Sequence, residues 1–309
     1  MAARLWRWTL AGTRPSVSRV SSRVLARRLA STGGECGEVP WAVNSEAYPL
    51  HYPKHCNELV ERCRGEIRVG GYCHLPGFVR AEAAEELCRE FTSLEERGHG
   101  FRSFESHNVY LEDNEASGGR DADAATVSVR DKEWASSKVL VAQDSLPQDS
   151  GLLAIYRWRA LQDFLQQVFD LPALHPSADP FGGVYYNLFD GAHKDTLGWH
   201  FDRSKFSMNL ILQTATGGNF QYVQDSRPAI DGMTHWGEVE DFIADKTTTP
   251  ELAPGSLYLF AGNRSLHQVT PVIEGKRVNA ILTYFEAPGQ TLNEYTLQKF
   301  FGRSHAAGS

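Results

Sequence analysis

Apolar positions along this chain change their period near residue 180. Upstream, Ala84, Leu87, Cys88, Phe91 and Leu94 recur at helical spacing and predict a helix over about 80–96, ended by Gly98 and Gly100. Leu152, Ile155, Tyr156, Leu161, Phe164, Leu165 and Val168 predict a second helix over about 151–169. A short helix is expected at 55–64, and a short strand at 70–79 closed by the Pro76-Gly77 turn. From Phe181 onward the apolar runs shorten to strand length, at 183–189, 197–202, 205–213, 217–223, 256–261, 267–272 and 277–285. An interruption at 224–254 carries one further helix around 236–244. Strands that follow one another without crossover helices predict an antiparallel arrangement. The expected fold is therefore α+β: a double-stranded β-helix (a cupin-like jelly roll) at about 181–286, with flanking N-terminal helices.

Composition adds a boundary at each end of this picture. A chain of 309 residues, 41% hydrophobic and 22% charged, is long enough for one sizeable core and reads as an ordinary globular protein. No apolar run approaches the roughly 20 residues of a membrane-spanning helix, so no membrane partner is expected. Residues 1–34 hold seven arginines and no acidic residue, interleaved with serines and apolar positions. That composition predicts a mitochondrial transit peptide and a matrix location, with 35–309 as a single domain; a basic arm contacting nucleic acid or membrane is the alternative. Without 1–34 the formal net charge falls from −7 to −7 − 7 = −14, and so acidic a body speaks against a nucleic-acid partner. The five cysteines are odd in number and form no Cys-x-x-Cys pair, which points to free thiols. Residues 112–124 are polar and glycine-containing, a solvated loop or a lid. The oligomeric state is left open.

Candidate chemistry lies in the strand-rich half. His200 and Asp202 stand two apart, so on a strand they share a face; His267 follows after 64 residues and Arg277 after nine more. Two histidines and one carboxylate occupy one face of an octahedral Fe(II) and leave three positions open. Arg277 offers a planar fork to the carboxylate of a ketoacid co-substrate. Alternation puts Asn279 and Thr283 on the face of Arg277, as candidate substrate contacts. Tyr185 or Tyr186 would offer the co-substrate a hydroxyl and Asn187 an amide. For a basic substrate, Asp190, Asp195 and Glu286 are candidate counter-charges, and Arg203 is a candidate partner for the substrate's own carboxylate.

Gly-Tyr-x-x-Leu-Pro-Gly-Phe at 71–78, Trp-His-Phe-Asp at 199–202, Gly-Gly-Asn-Phe at 217–220 and Ser-Leu-His-x-Val-Thr-Pro-Val at 265–272 resemble phrases of the Fe(II)/2-oxoglutarate-dependent dioxygenase superfamily. The resemblance spans roughly 70–286. Within the superfamily, 197–204 and 217–223 look most like the bacterial group that hydroxylates or chlorinates free amino acids, lysine among them. It implies Fe(II) on His200, Asp202 and His267, 2-oxoglutarate on Arg277, O₂ as the second substrate, and succinate and CO₂ as co-products. Halogenases of the group carry Gly or Ala at the carboxylate position, so Asp202 implies hydroxylation instead. The expected substrate is a small amino-acid-like molecule, basic amino acids included. The alternatives are hydroxylation of a protein side chain, a catalytically silent cupin-fold scaffold and, further off, a zinc hydrolase with different ligand spacing.

Overall fold

Alternation gives the strands of this protein two unlike faces, and the fold follows from how each is covered. In β4 (Val184–Asp190), Val184, Tyr186 and Leu188 join the main apolar core, whereas Tyr185, Asn187 and Phe189 line a cavity. In β10 (Lys276–Leu282), Val278 and Ala280 go to the core, while Arg277, Asn279 and Ile281 go to the cavity. The core face is covered by α1 (Asn57–Gly70), α2 (Ala81–Glu96), α3 (Gly151–Arg157) and α4 (Arg159–Val168). Phe91, Phe164 and Leu161 are fully buried there, and each such side chain contributes about 1.5–3 kcal/mol. The computed structural model describes residues 38–305 apart from 53, 55 and 113–125. The leader expected at 1–34 and all but the first residue of the candidate lid at 112–124 lie outside the described residues.

Among the described residues the main sheet has ten strands, all pairs antiparallel. Besides β4 and β10 they are β1 (Tyr72–Leu75), β2 (Gly100–His107), β3 (Trp134–Val141), β5 (Thr196–His200), β6 (Ser207–Gln213), β7 (Phe220–Val223), β8 (Leu257–Phe260) and β9 (Leu266–Val269). Their order is β1-β8-β6-β10-β4-β3-β5-β9-β7, with β2 on β3. Strand β3 is the joint. One of its edges pairs with β2 from Trp134 to Val141; the other meets β5 at Ser136 and Ser137, then β4 from Val139. The sheet therefore parts at Lys138 into two leaves, β1-β8-β6-β10-β4 and β5-β9-β7, in a double-stranded β-helix. The second leaf has its own cover: α5 (Trp236–Ala244), from the predicted interruption, packs Trp236, Val239 and Ile243 with Val223 and Leu266.

Several expectations change. The sheet begins well before residue 181, because β1, β2 and β3 supply three of its strands. The helix predicted over 151–169 breaks at Trp158, whose extended backbone (φ −70°, ψ 111°) lets its indole bury in the helical core. The segment at 267–272 leaves the sheet after Val269, and Val272–Glu274 pairs separately with Thr216–Gly217. Asp202 is not on a strand. Strand β5 ends at His200, and the next two residues are held by backbone bonds, Phe201 N to Val109 O at 2.7 Å and Asp202 N to Gly262 O at 3.0 Å.

Candidate active site

His200, last residue of β5, is the register partner of His267 in β9. Each ring is fixed the same way: His200 Nδ1 donates to Gly198 O at 2.8 Å, and His267 Nδ1 to Ser265 O at 2.9 Å. A carbonyl only accepts, so Nδ1 carries the proton and each Nε2 presents its lone pair. Both lone pairs aim at one carboxylate oxygen, Asp202 Oδ1, 3.5 Å from either Nε2. Burial, and then the neighbouring His267, lower the pKa of His200 and favour the neutral ring a metal needs. Burial opposes the charge on Asp202, but the charge and Nε2–H bond that His267 and His200 supply whenever they are protonated outweigh it and hold the carboxyl well below its ordinary range. The three candidate ligand atoms lie within 4.8 Å of one another.

Two further residues lock the carboxylate. Ser207 Oγ donates to Asp202 Oδ2, and Gly262 passes so close that any side-chain carbon there would collide with Asp202 Oδ2 and Ser207 Oγ. Gly218, at φ +62°, plays the same part for Arg277: a β-carbon would press on Val272 and on Arg277 Cδ.

Arg277 lies across the cavity on the other leaf, 4% exposed. Its Nη1 donates to Asn279 Oδ1 at 2.7 Å, and Asn279 Nδ2 donates to Asn209 Oδ1 at 2.9 Å. Its Nη2 has no partner among the described residues, and neither does Asn187 Oδ1. Burial without a counter-charge pushes the guanidinium down to about 10. A buried, half-satisfied guanidinium is costly unless an anion completes it. The donor set thus fits a divalent cation, and the orphaned Nη2 fits a carboxylate. Between the leaves lies a cavity of about 310 Å³.

Of the residues singled out in the sequence, the cavity collects His200, Asp202, His267, Arg277, Tyr185, Asn187, Asn279, Thr283 and Arg203. Arg203 Nη1 is tied to Leu111 O at 2.9 Å. Tyr186 points to the core and donates to Glu90 Oε1 at 2.8 Å. Asp190 is not brought to the cavity: alternation turns it away from Phe189's face, and its Oδ1 accepts from Ala192 N at 2.9 Å, capping the turn Gly191–His193. Asp195 is fully buried in an ion pair with Arg102, and Glu286 pairs with Lys205 at the surface. No acid expected to meet a basic substrate stands in the site. The sequence reading missed Lys138, Ser207, Asn209 and a C-terminal wall of Thr291, Asn293, Thr296 and Phe300. His107 was missed as well, with its ring 5.8 Å from that of His200 and its Nε2 on Ser136 Oγ.

A family model described as Halogenase D matches residues 126–299, more than half of the chain, and this span holds His200, Asp202, His267 and Arg277. The chain belongs to the Halogenase D family. Among solved structures, the fold of this Halogenase D member is similar to the non-heme alpha-ketoglutarate-dependent carbocyclase SnoK from nogalamycin biosynthesis. The TM-score there is 0.51 at 12% identity, over 75% of this chain and 93% of that one. The epimerase SnoN, in complex with Fe³⁺, alpha-ketoglutarate and nogalamycin RO, matches at TM-score 0.50 and 15% identity, over 74% and 84%. AviO1 from Streptomyces viridochromogenes matches at TM-score 0.50 and 15% identity, over 75% and 97%. A search of the curated proteins returned no match.

Proposed function

We propose that this Halogenase D member is an Fe(II)- and 2-oxoglutarate-dependent oxygenase that hydroxylates a small, amino-acid-like molecule. The carrying observation is the locked Asp202 carboxylate beside two histidines whose tautomers are already set for metal binding. His200, Asp202 and His267 would hold Fe(II); Arg277 Nη2, with Asn187 on the same cavity face, would hold the far carboxylate of 2-oxoglutarate. Bound there, iron and co-substrate supply the activation of O₂ and the oxidation of a C–H bond, with succinate and CO₂ released.

The chain's own residues do the rest. Gly198 and Ser265 carbonyls keep both Nε2 lone pairs free, and Ser207 and Gly262 keep Asp202 from swinging away. Asn209 and Asn279 steer the guanidinium. The aromatic walls Phe220, Phe260 and Phe300 limit water in the cavity.

Asp202 favours oxygen transfer over halogen transfer, because a halide would need the position that this fixed carboxylate fills. A volume of about 310 Å³ lies at the small end of ligand pockets, which favours a free small molecule over a protein side chain on its backbone. The test is product analysis with Fe(II), 2-oxoglutarate, O₂ and chloride over a panel of amino acids and their N-acyl forms. A product heavier by one oxygen, with matching succinate, is the expected result. A chlorinated product, or succinate release insensitive to every candidate, would contradict it.

A further inference from the structure

The charges that face the cavity are unequal. Among the described residues that line it, the cations are Lys138, Arg203 and Arg277, and the one carboxylate is Asp202. Asp202 belongs to the candidate metal centre, Arg277 to the co-substrate, and Arg203 is tied to the Leu111 carbonyl. Lys138 is left over. It is 6% exposed, and its ammonium stands 5.0 Å from the Phe300 ring centroid; no ion pair holds it among the described residues.

Its place in the fold is equally particular. Lys138 sits where β3 lets go of β5 and takes up β4, so its side chain enters the gap between the leaves. One step beyond the Val139–Leu188 pair, it comes level with Phe189, the register partner of Arg277. Two strand spacings, roughly 10 Å, then separate the backbones of the two residues along the row. The Phe189 ring lies between, 5.3 Å from the Arg277 guanidinium carbon. Two buried cations so divided are set for two separate anionic groups. Burial brings the lysine down to about 8 against the weaker opposing pull of the Asp202 charge, which leaves it charged at neutral pH.

We infer that Lys138 anchors an acidic group of the primary substrate, and that this substrate is an acid whose remaining part is neutral or apolar, not a basic amino acid. The inference rests on the oxygenase reading above and narrows its substrate class. A basic side chain would enter a space already rich in positive charge, with no acid but the metal ligand to meet it. A carboxylate would instead complete the unpaired ammonium while its apolar remainder meets Phe300, Ile281 and Leu282.

The test compares hexanoate, hexylammonium and hexanamide, which share one chain and differ in the head group. Calorimetric titration would be run under argon on protein loaded with Fe(II) and 2-oxoglutarate, so that the Arg277 site is occupied. Hexanoate is expected to bind at least about tenfold tighter than the other two. Lys138→Met should erase that preference and Lys138→Arg should keep it, while the Kd for 2-oxoglutarate moves less than about twofold in both. Equal or tighter binding of hexylammonium would overturn the inference, as would equal failure of all three or an unchanged preference in Lys138→Met. A raised Kd for 2-oxoglutarate in Lys138→Met would overturn it too, by giving the lysine to the co-substrate. The visible charge-transfer band of chelated 2-oxoglutarate separates the two levels. Its absence from the wild type sinks the oxygenase reading itself; its presence without a carboxylate preference sinks only the role of Lys138.

Discussion

The two faces of β4 and β10 are built from alternate residues of the same strands, and they obey opposite rules. On the core face the half-buried acid is satisfied: Tyr186 and Ser150 both donate to Glu90 Oε1, at 2.8 and 2.7 Å, amid Phe91 and Leu188. On the cavity face, one residue along, Arg277 Nη2 and Asn187 Oδ1 have no hydrogen-bond partner and Lys138 no ion pair among the described residues. One face is closed by the chain, and the other is closed by what it binds. Orphaned neutral groups such as Trp158 Nε1 and Tyr258 Oη also occur away from the cavity, so it is the orphaned charged group, Arg277 Nη2, that marks the site.

That contrast can be broken by substitution. Phe91→Ala on the core face should cost about 3–5 kcal/mol and lower the Tm without metal or ligand present, read by thermal unfolding. Arg277→Met on the cavity face should leave the metal-free protein within about 1 kcal/mol of wild type, or more stable, because an unpaired buried cation is removed. The same variant should bind 2-oxoglutarate about a hundredfold more weakly, read by equilibrium titration. A large loss of stability in Arg277→Met would erase the distinction between the faces. Next in size is Ser207→Ala, which frees Asp202 and should weaken Fe(II) binding about tenfold, measured by competition with a chelator.

The last expected effect is spread over a range of pH. Burial, and next the adjoining His200, push His107 down to about 3, below the ordinary imidazole value. The sign follows: the stability from keeping this ring neutral is fully present above about pH 6.5. It is lost as pH falls from there toward 3, by on the order of 1.4 kcal/mol per pH unit for one group. His107→Gln should flatten that part of the stability profile of the metal-free protein, measured by denaturant unfolding at successive pH values.

Much of this arrangement is legible in the sequence. Alternation along 183–189 and 277–285 separates core residues from site residues, and the spacing of His200, Asp202, His267 and Arg277 shows the chemistry. Alternation also turns Asp190 outward, since it is one step beyond inward-facing Phe189. Other features depend on tertiary contacts. Trp-Ala-Ser-Ser-Lys-Val-Leu-Val at 134–141 shows no clean period because β3 is paired on both edges and buried on both faces over most of its length. Lys138 is hidden with it. Asp202 reaches the histidines not by the pleat of a strand but through backbone bonds to Gly262, 60 residues away in the chain. The break at Trp158 follows from burial of its indole, against a helical pattern that runs straight through it.

The most direct test of the central claim, that the cavity face is completed by Fe(II) and 2-oxoglutarate, is an anaerobic titration of both into the protein, followed in the visible. The expected result is a weak charge-transfer band that saturates at one iron and one 2-oxoglutarate per chain, vanishes in His200→Ala and needs far more 2-oxoglutarate in Arg277→Met. Folded protein that binds neither, or a band indifferent to both substitutions, would contradict it.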